Sequence, residues 1–454
     1  MAETTPSPAF GPARHRWLIA LWLLVWLAAI VQLGGLRTAK RTFLSLSHAH
    51  LEIPAIDLYQ DWAAGRDHVL GDSIYAPLTK NYDQHRPHLG LPDPPAEPIL
   101  TRNAHPPMMT LLVLGLAHFE YRTAFVIWSG LGILLLLVSI HLVLSGLWPS
   151  ATAGRRLLVT VCLGLVLTSA YPVSRQFQFG NVQMVLLGLV TGAWFADRRG
   201  HRWLAGLLIG LAAGVKLYPG FLVLYFLALR SWRGVSGAIL AFVILVLSAG
   251  LVFGFDVFPA FVTEAMPAIA DYRSDPPNLS LFGLASKLFN PGTHIETAPL
   301  LSAPWLAVAL AGLSFLLVTV LFLRAAESVR KRPDVVDTDM LFGLGIVAML
   351  LLSPATWPHS QCLLLVPIAV LLARVRPNRP AFHVVAAIVL VIWLSWPAII
   401  GWRFHPDGED TTYQVWESLT WTSLGLYAML GLFVLGLRAL AAPQARPRAE
   451  VARE

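Results

Sequence analysis

Long apolar runs, broken by short basic turns, dominate the chain. Segments such as LLVWLAAIVQLGG, LGILLLLVSIHLVL and AILAFVILVLSAGLVFG carry no charge. A bilayer core of about 30 Å needs roughly 20 residues at about 1.5 Å each, so these runs read as membrane-spanning helices. Spans are expected near 17–36, 123–147, 157–172, 181–196, 203–216, 218–229, 235–254, 303–323, 340–353, 359–373, 382–400 and 418–440. The runs do not alternate between polar and apolar residues, which excludes a β-barrel. The segment 106–118, PPMMTLLVLGLAH, is apolar but only about 20 Å long as a helix. Its pattern leaves crossing, re-entry and a surface position open.

Charge chooses among these. If 106–118 does not cross and the N-terminus is cytoplasmic, Arg14 and Arg16 share a side with Arg155/Arg156, Arg198/Arg199/Arg202, Arg230/Arg233, Arg324/Arg330/Lys331/Arg332, Arg374/Arg376/Arg379 and Arg438/Arg446/Arg448/Arg453. That is the arrangement the positive-inside rule favours. The expectation is an all-α polytopic protein of the inner or plasma membrane, with about twelve transmembrane helices and both termini cytoplasmic. One transmembrane domain, 14–441, lies between tails 1–13 and 442–454, whose Pro/Ala/Arg-rich composition predicts disorder. The outer face receives the loops 37–105, 255–302 and 401–417. The amphipathic piece IDLYQDWAAG is expected along the membrane surface. Gly206, Gly210 and Gly214 are expected to let two helices approach closely.

Composition agrees. Hydrophobic residues make up 56% and charged residues 13%, against about 25% charged in soluble domains, and the mean hydropathy is +0.63. Soluble multidomain classes are excluded. The net charge of +7 resides in the turns, so no nucleic-acid partner is implied. Cys162 and Cys362 each sit in an apolar run, so neither a disulfide framework nor a metal cluster is implied. The run 17–36 is long for a signal-peptide core and lacks a clear cleavage site, so it is expected to be a retained span.

The outer face then collects polar residues that a bilayer does not explain. Asp57 lies in AIDLYQDWAAG and His105 in NAHPPMM; Arg175, Gln178 and Asn181 lie in SRQFQFGNVQ. Lys216 stands in AAGVKLYPG, Asn278 and Ser280 in PPNLSLFGL, and His359 in SPATWPHSQ. Ionisable groups near a bilayer commonly face a cavity or a polar partner, which makes this one-sided set a site candidate. Each has a plainer reading. Asp57 is a good helix cap, Lys216 is placed to snorkel, His105 to fix a turn, and Arg175 and Asn181 to satisfy a helix end. Asp61 is a rival base, expected as a solvated surface residue. Asp271, Tyr272 and Arg273 read as loop surface. Asp83, His85 and His88 read as a solvated Pro-rich loop. Asp337-Thr-Asp339 reads as helix capping, and the Asn278-Leu-Ser280 sequon carries little weight.

The order D-x-x-x-x-W-A-x-G, G-D-S-I-Y, H-P-P, F-G-N-V-Q, AGLLIGLAAGVKLYPGFLVLYFL, N-L-S-L-F-G-L and S-P-A-T-W-P-H resembles glycosyltransferase family 87 across roughly residues 50–375. That family holds polyprenol-phosphate-mannose-dependent mannosyltransferases and related arabinofuranosyltransferases of the type C fold. The fourth motif here reads QFGNVQ where relatives often have G-Q-x-N, and Ser360 follows His359 where many have a second histidine. The resemblance implies a polyprenyl-phosphate sugar donor, a glycolipid or glycan acceptor among membrane lipids, and Asp57 as catalytic base. Mannose is the preferred sugar, with arabinofuranose open.

Such a transfer makes definite demands. An acceptor hydroxyl needs a base, and the departing lipid phosphate needs donors for its growing charge. Asp57 suits the first role; His359, Lys216 and Arg175 suit the second. His105, Gln178, Asn181, Asn278 and Ser280 are expected at the substrate. A single displacement needs no second nucleophilic carboxylate. No metal site and no other cofactor are expected. A flippase or transporter of lipid-linked glycans, or a glycan polymerase or ligase, is the alternative. A transporter would carry buried charge and broken helices at the midplane, whereas these spans are nearly uncharged.

Overall fold

The computed structural model describes residues 22–27, 35–46, 56–91, 102–292, 295–375, 379–394, 397–401, 404 and 412–441. The tails and most of the first expected span lie outside them. Among the described residues the regular structure is helical, with an isolated Thr297–Tyr413 bridge in place of a sheet.

In chain order the principal helices are α1 (Gly35–Leu46), α2 (Ile56–Val69), α3 (Pro107–Val113), α4 (Tyr121–Leu147), α5 (Ala153–Leu167), α6 (Tyr171–Phe179), α7 (Gln183–Arg198) and α8 (Arg202–Val215). They continue with α9 (Trp232–Phe253), α10 (Leu281–Phe289), α11 (Pro304–Lys331), α12 (Val335–Leu352), α13 (Leu365–Arg374), α14 (Pro380–Trp393) and α15 (Leu424–Ala441). Among the described residues, five helices are long and apolar enough to cross a membrane: α4, α9, α11, α12 and the unit Val415–Ala441. A sixth arises if α5 and α6, bent by 77°, count as one broken span. Five shorter apolar helices lie among them: Pro107–His118, Arg202–Val215, Tyr218–Ala228, Pro358–Arg374 and Pro380–Trp393. The segment 106–118 is thus a short α-helix that runs into a 3-10 turn.

Helix α12 is central, with every residue from Met340 to Leu351 buried. Helix α11 is peripheral and leaves Val308, Leu313, Phe315, Leu316 and Leu317 exposed. Apolar side chains on that outer surface suit hydrocarbon rather than water. The glycine spacing of α8 does bring two helices together. A Cβ on Gly206 would collide with the carbonyl oxygen of Gly234, and one on Gly210 with that of Ala238.

The two ends of the bundle differ in chemistry. At one end Arg198 pairs with Asp339, whose carboxylate also accepts from Trp194 Nε1 at 2.9 Å. Arg374 donates to Asp337 at 2.6 Å. Asp337 and Asp339 therefore bind arginines across helices, and the cap of α12 is Asp334, which accepts from the Val336 amide at 2.9 Å. The candidate site lies at the other end.

Candidate active site

Helix α2 is the centre of this end. IDLYQDWAAG is packed into the protein and, among its described side chains, leaves no apolar face uncovered. Leu58, Tyr59, Trp62, Ala63 and Ala64 are all wholly buried, and Trp62 donates to the Phe119 carbonyl at 3.1 Å and meets the Tyr121 ring edge-on at 5.4 Å. Asp57 and Asp61 are one helical turn apart and share a face. Asp57 is half-buried; Asp61 has no exposed surface. Asp61 is therefore not the solvated residue its composition suggested.

Asp61 sits in a closed network. Its Oδ2 lies 2.6 Å from His105 Nδ1, and its Oδ1 accepts from Thr110 Oγ1 at 3.1 Å. Asn103 donates to Thr110 Oγ1 at 3.0 Å and accepts from the His105 amide at 2.9 Å. Tyr75, the tyrosine of G-D-S-I-Y, donates its hydroxyl to the His105 carbonyl at 2.7 Å. Gln60 accepts from the Ala104 amide at 2.8 Å. The H-P-P motif is thus bound to α2 through the His105 imidazole and, just before it, the Ala104 amide.

Asp57 has a different partner. Helix α6 ends at Gly180, whose φ of +61° is left-handed, a conformation glycine adopts without steric cost. Trp128 Nε1 donates to the Gly180 carbonyl at 2.9 Å. The turn directs Asn181 towards α2, where its Nδ2 donates to Asp57 Oδ2 at 2.7 Å. The other oxygen of Asp57 is left for a further partner.

The cations complete the cluster. Lys216 caps the C-terminus of α8 and is half-buried. His359 opens the 3-10 turn Pro358–Leu364 and is only 4% exposed, yet among the described residues neither ring nitrogen has a hydrogen-bond partner. Lys216, Arg175 and His105 all act electrostatically on it. The Phe179 ring meets His359 edge-on at 6.0 Å and carries the Arg175 guanidinium 4.3 Å from its centroid. Gln178 accepts from Arg175 at 3.1 Å and donates to Ser174 at 2.7 Å, so it steadies the arginine.

Three side chains outside the expected set hold these pieces in register. Gln183 at the start of α7 donates to Ser360 Oγ at 3.1 Å and accepts from the Tyr218 hydroxyl at 2.7 Å. It links the turn of His359 to the turn of Lys216. The signals were present as the Q of F-G-N-V-Q, the Y of K-L-Y-P-G and the serine after W-P-H.

Asn278 and Ser280 are occupied elsewhere. Asn278 donates to the carbonyls of Arg273 (3.0 Å) and Pro354 (3.2 Å), while its Oδ1 accepts from the Thr356 amide (3.1 Å) and from the amide and hydroxyl of Ser280. Ser280 caps α10 through the Gly283 amide at 2.8 Å. These two residues clasp the loop before α10 to the S-P-A-T turn that precedes His359. His85 is likewise not solvated. It is 1% exposed, with Nε2 2.7 Å from Asp67, which also accepts from Asn81 at 2.8 Å.

A ring of polar side chains at one end of a bundle of apolar helices defines a membrane protein with a one-ended polar centre, combining two carboxylates, two imidazoles and two cations. The model for glycosyltransferase family 87 matches residues 103–354, more than half of the chain, and the chain belongs to that family. Asp57 precedes the matched stretch and His359 follows it. A polyprenol-phosphate-mannose-dependent alpha-(1-2)-phosphatidylinositol mannoside mannosyltransferase of Mycobacterium tuberculosis is 32% identical over 237 residues, 49% of each chain. A Mycolicibacterium smegmatis protein of the same name is 25% identical over 350 residues, 73% of this chain and 75% of its own. An M. smegmatis mannosyltransferase named for a phosphatidylinositol pentamannoside is 32% identical over 132 residues, 29% of this chain and 30% of its own. The aligned part thus spans about half the length of the first of these relatives.

Proposed function

We propose that this protein transfers mannose from a polyprenyl-phosphate donor to a glycolipid acceptor, a phosphatidylinositol mannoside or a lipid like it, by a single inverting displacement. The observation that carries the reading is the placement of Asp57. One of its oxygens is held by Asn181, whose turn ends the helix that carries Arg175. The acceptor hydroxyl attacks the anomeric carbon and gives its proton to Asp57. The bond from that carbon to the phosphate oxygen breaks, and its electron pair leaves with the lipid phosphate. Lys216, Arg175 and the unpartnered His359 receive the dianion so formed.

In this reading Asp61 is not the base. Both of its oxygens are engaged by His105 and Thr110, and its role is to aim His105 at the substrate. Gln178 acts through Arg175, and Asn278 and Ser280 act by shaping the turn that carries His359. The relatives named for polyprenol-phosphate-mannose support the donor, and the two named for phosphatidylinositol mannoside support the acceptor.

The membrane arrangement belongs to the same proposal: about twelve spans, a type C fold, cytoplasmic termini and an outward site. Three helices support the orientation, since each has one basic end and one site end. Helix α7 runs from Gln183 to Arg198, α8 from Arg202 to the cap Lys216, and the unit Pro358–Arg374 from His359 to Arg374. The deciding experiment supplies purified protein with radiolabelled polyprenyl-phosphate mannose and a phosphatidylinositol mannoside. Labelled product of one added mannose is expected; movement of the donor across a bilayer without transfer would replace this reading with a transporter.

A further inference from the structure

Helix α1 is amphipathic with its faces reversed. Its buried side is made of hydroxyls: Thr42 is wholly buried and donates to the Thr168 carbonyl at 2.8 Å, and Ser45 is 7% exposed. Ser174 of α6 donates to the Thr38 carbonyl at 3.4 Å, which places α1 against the helix that carries Arg175. The outward side carries Leu36 and Phe43, 59% and 50% exposed, together with exposed Arg37, Lys40 and Arg41. A helix at a water-facing surface would bury the leucine and phenylalanine and show its hydroxyls. Apolar and basic groups side by side on an exposed face suit the boundary between acyl chains and headgroups instead.

The charge asks for the same partner. Among the described residues no carboxylate pairs with Arg37, Lys40 or Arg41, whereas the exposed cations Lys80 and Arg102 at this end pair with Asp72 and Glu264. At 100° per residue, Lys40, Arg37 and Arg41 form one strip along α1, bordered on one side by Leu36 and Phe43. Three cations with no carboxylate partner among the described residues, at the end opposite the basic turns, also run against the pattern that orients the rest of the chain.

We propose that α1 is a docking surface for the anionic phospholipids of the surrounding bilayer. Leu36 and Phe43 enter the acyl layer, and Arg37, Lys40 and Arg41 hold phosphodiester headgroups beside the site. The proposal requires only that this end of the protein meets a bilayer, and it stands apart from the transfer chemistry.

The test uses the full chain in liposomes of phosphatidylcholine with spin-labelled phosphatidylglycerol or phosphatidylcholine, and reads the motionally restricted lipid. The wild-type protein is expected to favour phosphatidylglycerol, the more so at low salt. Arg37→Gln/Lys40→Gln/Arg41→Gln should lower that preference about fivefold or more, given the attraction of each basic residue to an anionic surface. Replacement of all three by Glu should exclude phosphatidylglycerol. These side chains are exposed, so the Thr42 and Ser45 contacts survive; should a triple variant lose its unfolding transition, the three single Gln variants carry the same test. A Gln variant that keeps the wild-type preference overturns the proposal. Mannose transfer is not the readout, so failure here leaves the proposed reaction standing.

Discussion

A Cβ placed on Gly180 would stand 2.9 Å from the Cβ of Leu58, the residue that follows Asp57. The turn that delivers Asn181 is thus pressed against the helix that delivers the carboxylate. Gly180→Ala would meet both this contact and the left-handed backbone, which disfavours L side chains by roughly 1–2 kcal/mol. The expected result is a folded protein with kcat lowered about ten- to a hundredfold, because a displacement of about 1 Å is enough for that loss. Wild-type turnover in a steady-state assay would show that the Asn181–Asp57 bond does not matter to the reaction.

Asp57→Asn keeps size and hydrogen bonding but removes the proton acceptor. Turnover should fall about a hundredfold or more, with donor binding retained. Asp61→Asn should be far milder, since an amide oxygen still accepts from His105. Asp61→Ala leaves the imidazole and Thr110 without their partner, and its unfolding free energy should drop by about 1–3 kcal/mol. If Asp57→Asn keeps more than about a tenth of the turnover, the base is elsewhere.

His359 has two buried ring nitrogens with no hydrogen-bond partner among the described residues. His359→Ala should reduce kcat about ten- to a thousandfold, the range found when one charge-stabilising donor is removed. Because a neutral group replaces a group with unsatisfied nitrogens, the unfolding transition should hold or rise. A large fall in stability with turnover preserved would make His359 a packing residue.

Lys287, on α10, is wholly buried, donates to the Pro276 carbonyl (3.2 Å) and Ser423 Oγ (3.1 Å), and burial pushes its ammonium down to about 7. An unfolded chain titrates this group at its ordinary 10.5, so between the two values the unfolded state binds more protons than the folded one. The contribution of Lys287 to stability therefore rises with pH across that window and is flat below it. Thermal unfolding followed from pH 7 to about 10 should show a shallower rise in Lys287→Met than in the wild type.

Topology is checked by labelling. Single cysteines at Arg199 and Pro276 should react from opposite sides of the membrane, with Arg199 inside. Reaction from the same side would remove the charge-based orientation.

The sequence makes parts of this centre readable and hides others for definite reasons. Asp57 and Asn181 stand in dense local motifs, and the Gly-rich α8 reports its own close contact. The Asp61–His105 pair spans 44 residues, and no periodicity announces a partner at that distance. IDLYQDWAAG has the polar content of a surface helix because its polar atoms are spent on neighbours such as Ala104 and Thr110. Asn278 looks like a ligand because a motif asparagine is polar and placed beside Pro and Ser. Its hydrogen-bonding capacity is instead used within the protein. Spans were easiest where a helix is long, as in α4 and α11. They were hardest where short apolar helices meet in 3-10 turns, whose boundaries hydropathy does not mark.

The Asn278 clasp also constrains the order of assembly. Asp57, His105, Arg175, Asn181 and Lys216 all precede residue 220, but the turn that presents His359 is fastened by a residue nearly 80 positions upstream of it. During synthesis the N-terminal half can bring its carboxylates and cations together, yet the centre stays open until α12 has emerged and Thr356 reaches Asn278. Coexpression of two fragments divided in the exposed Leu300–Ser302 stretch would therefore rebuild the enzyme only if the second fragment closes this clasp. Asn278→Ala should abolish such complementation sooner than it abolishes the intact chain.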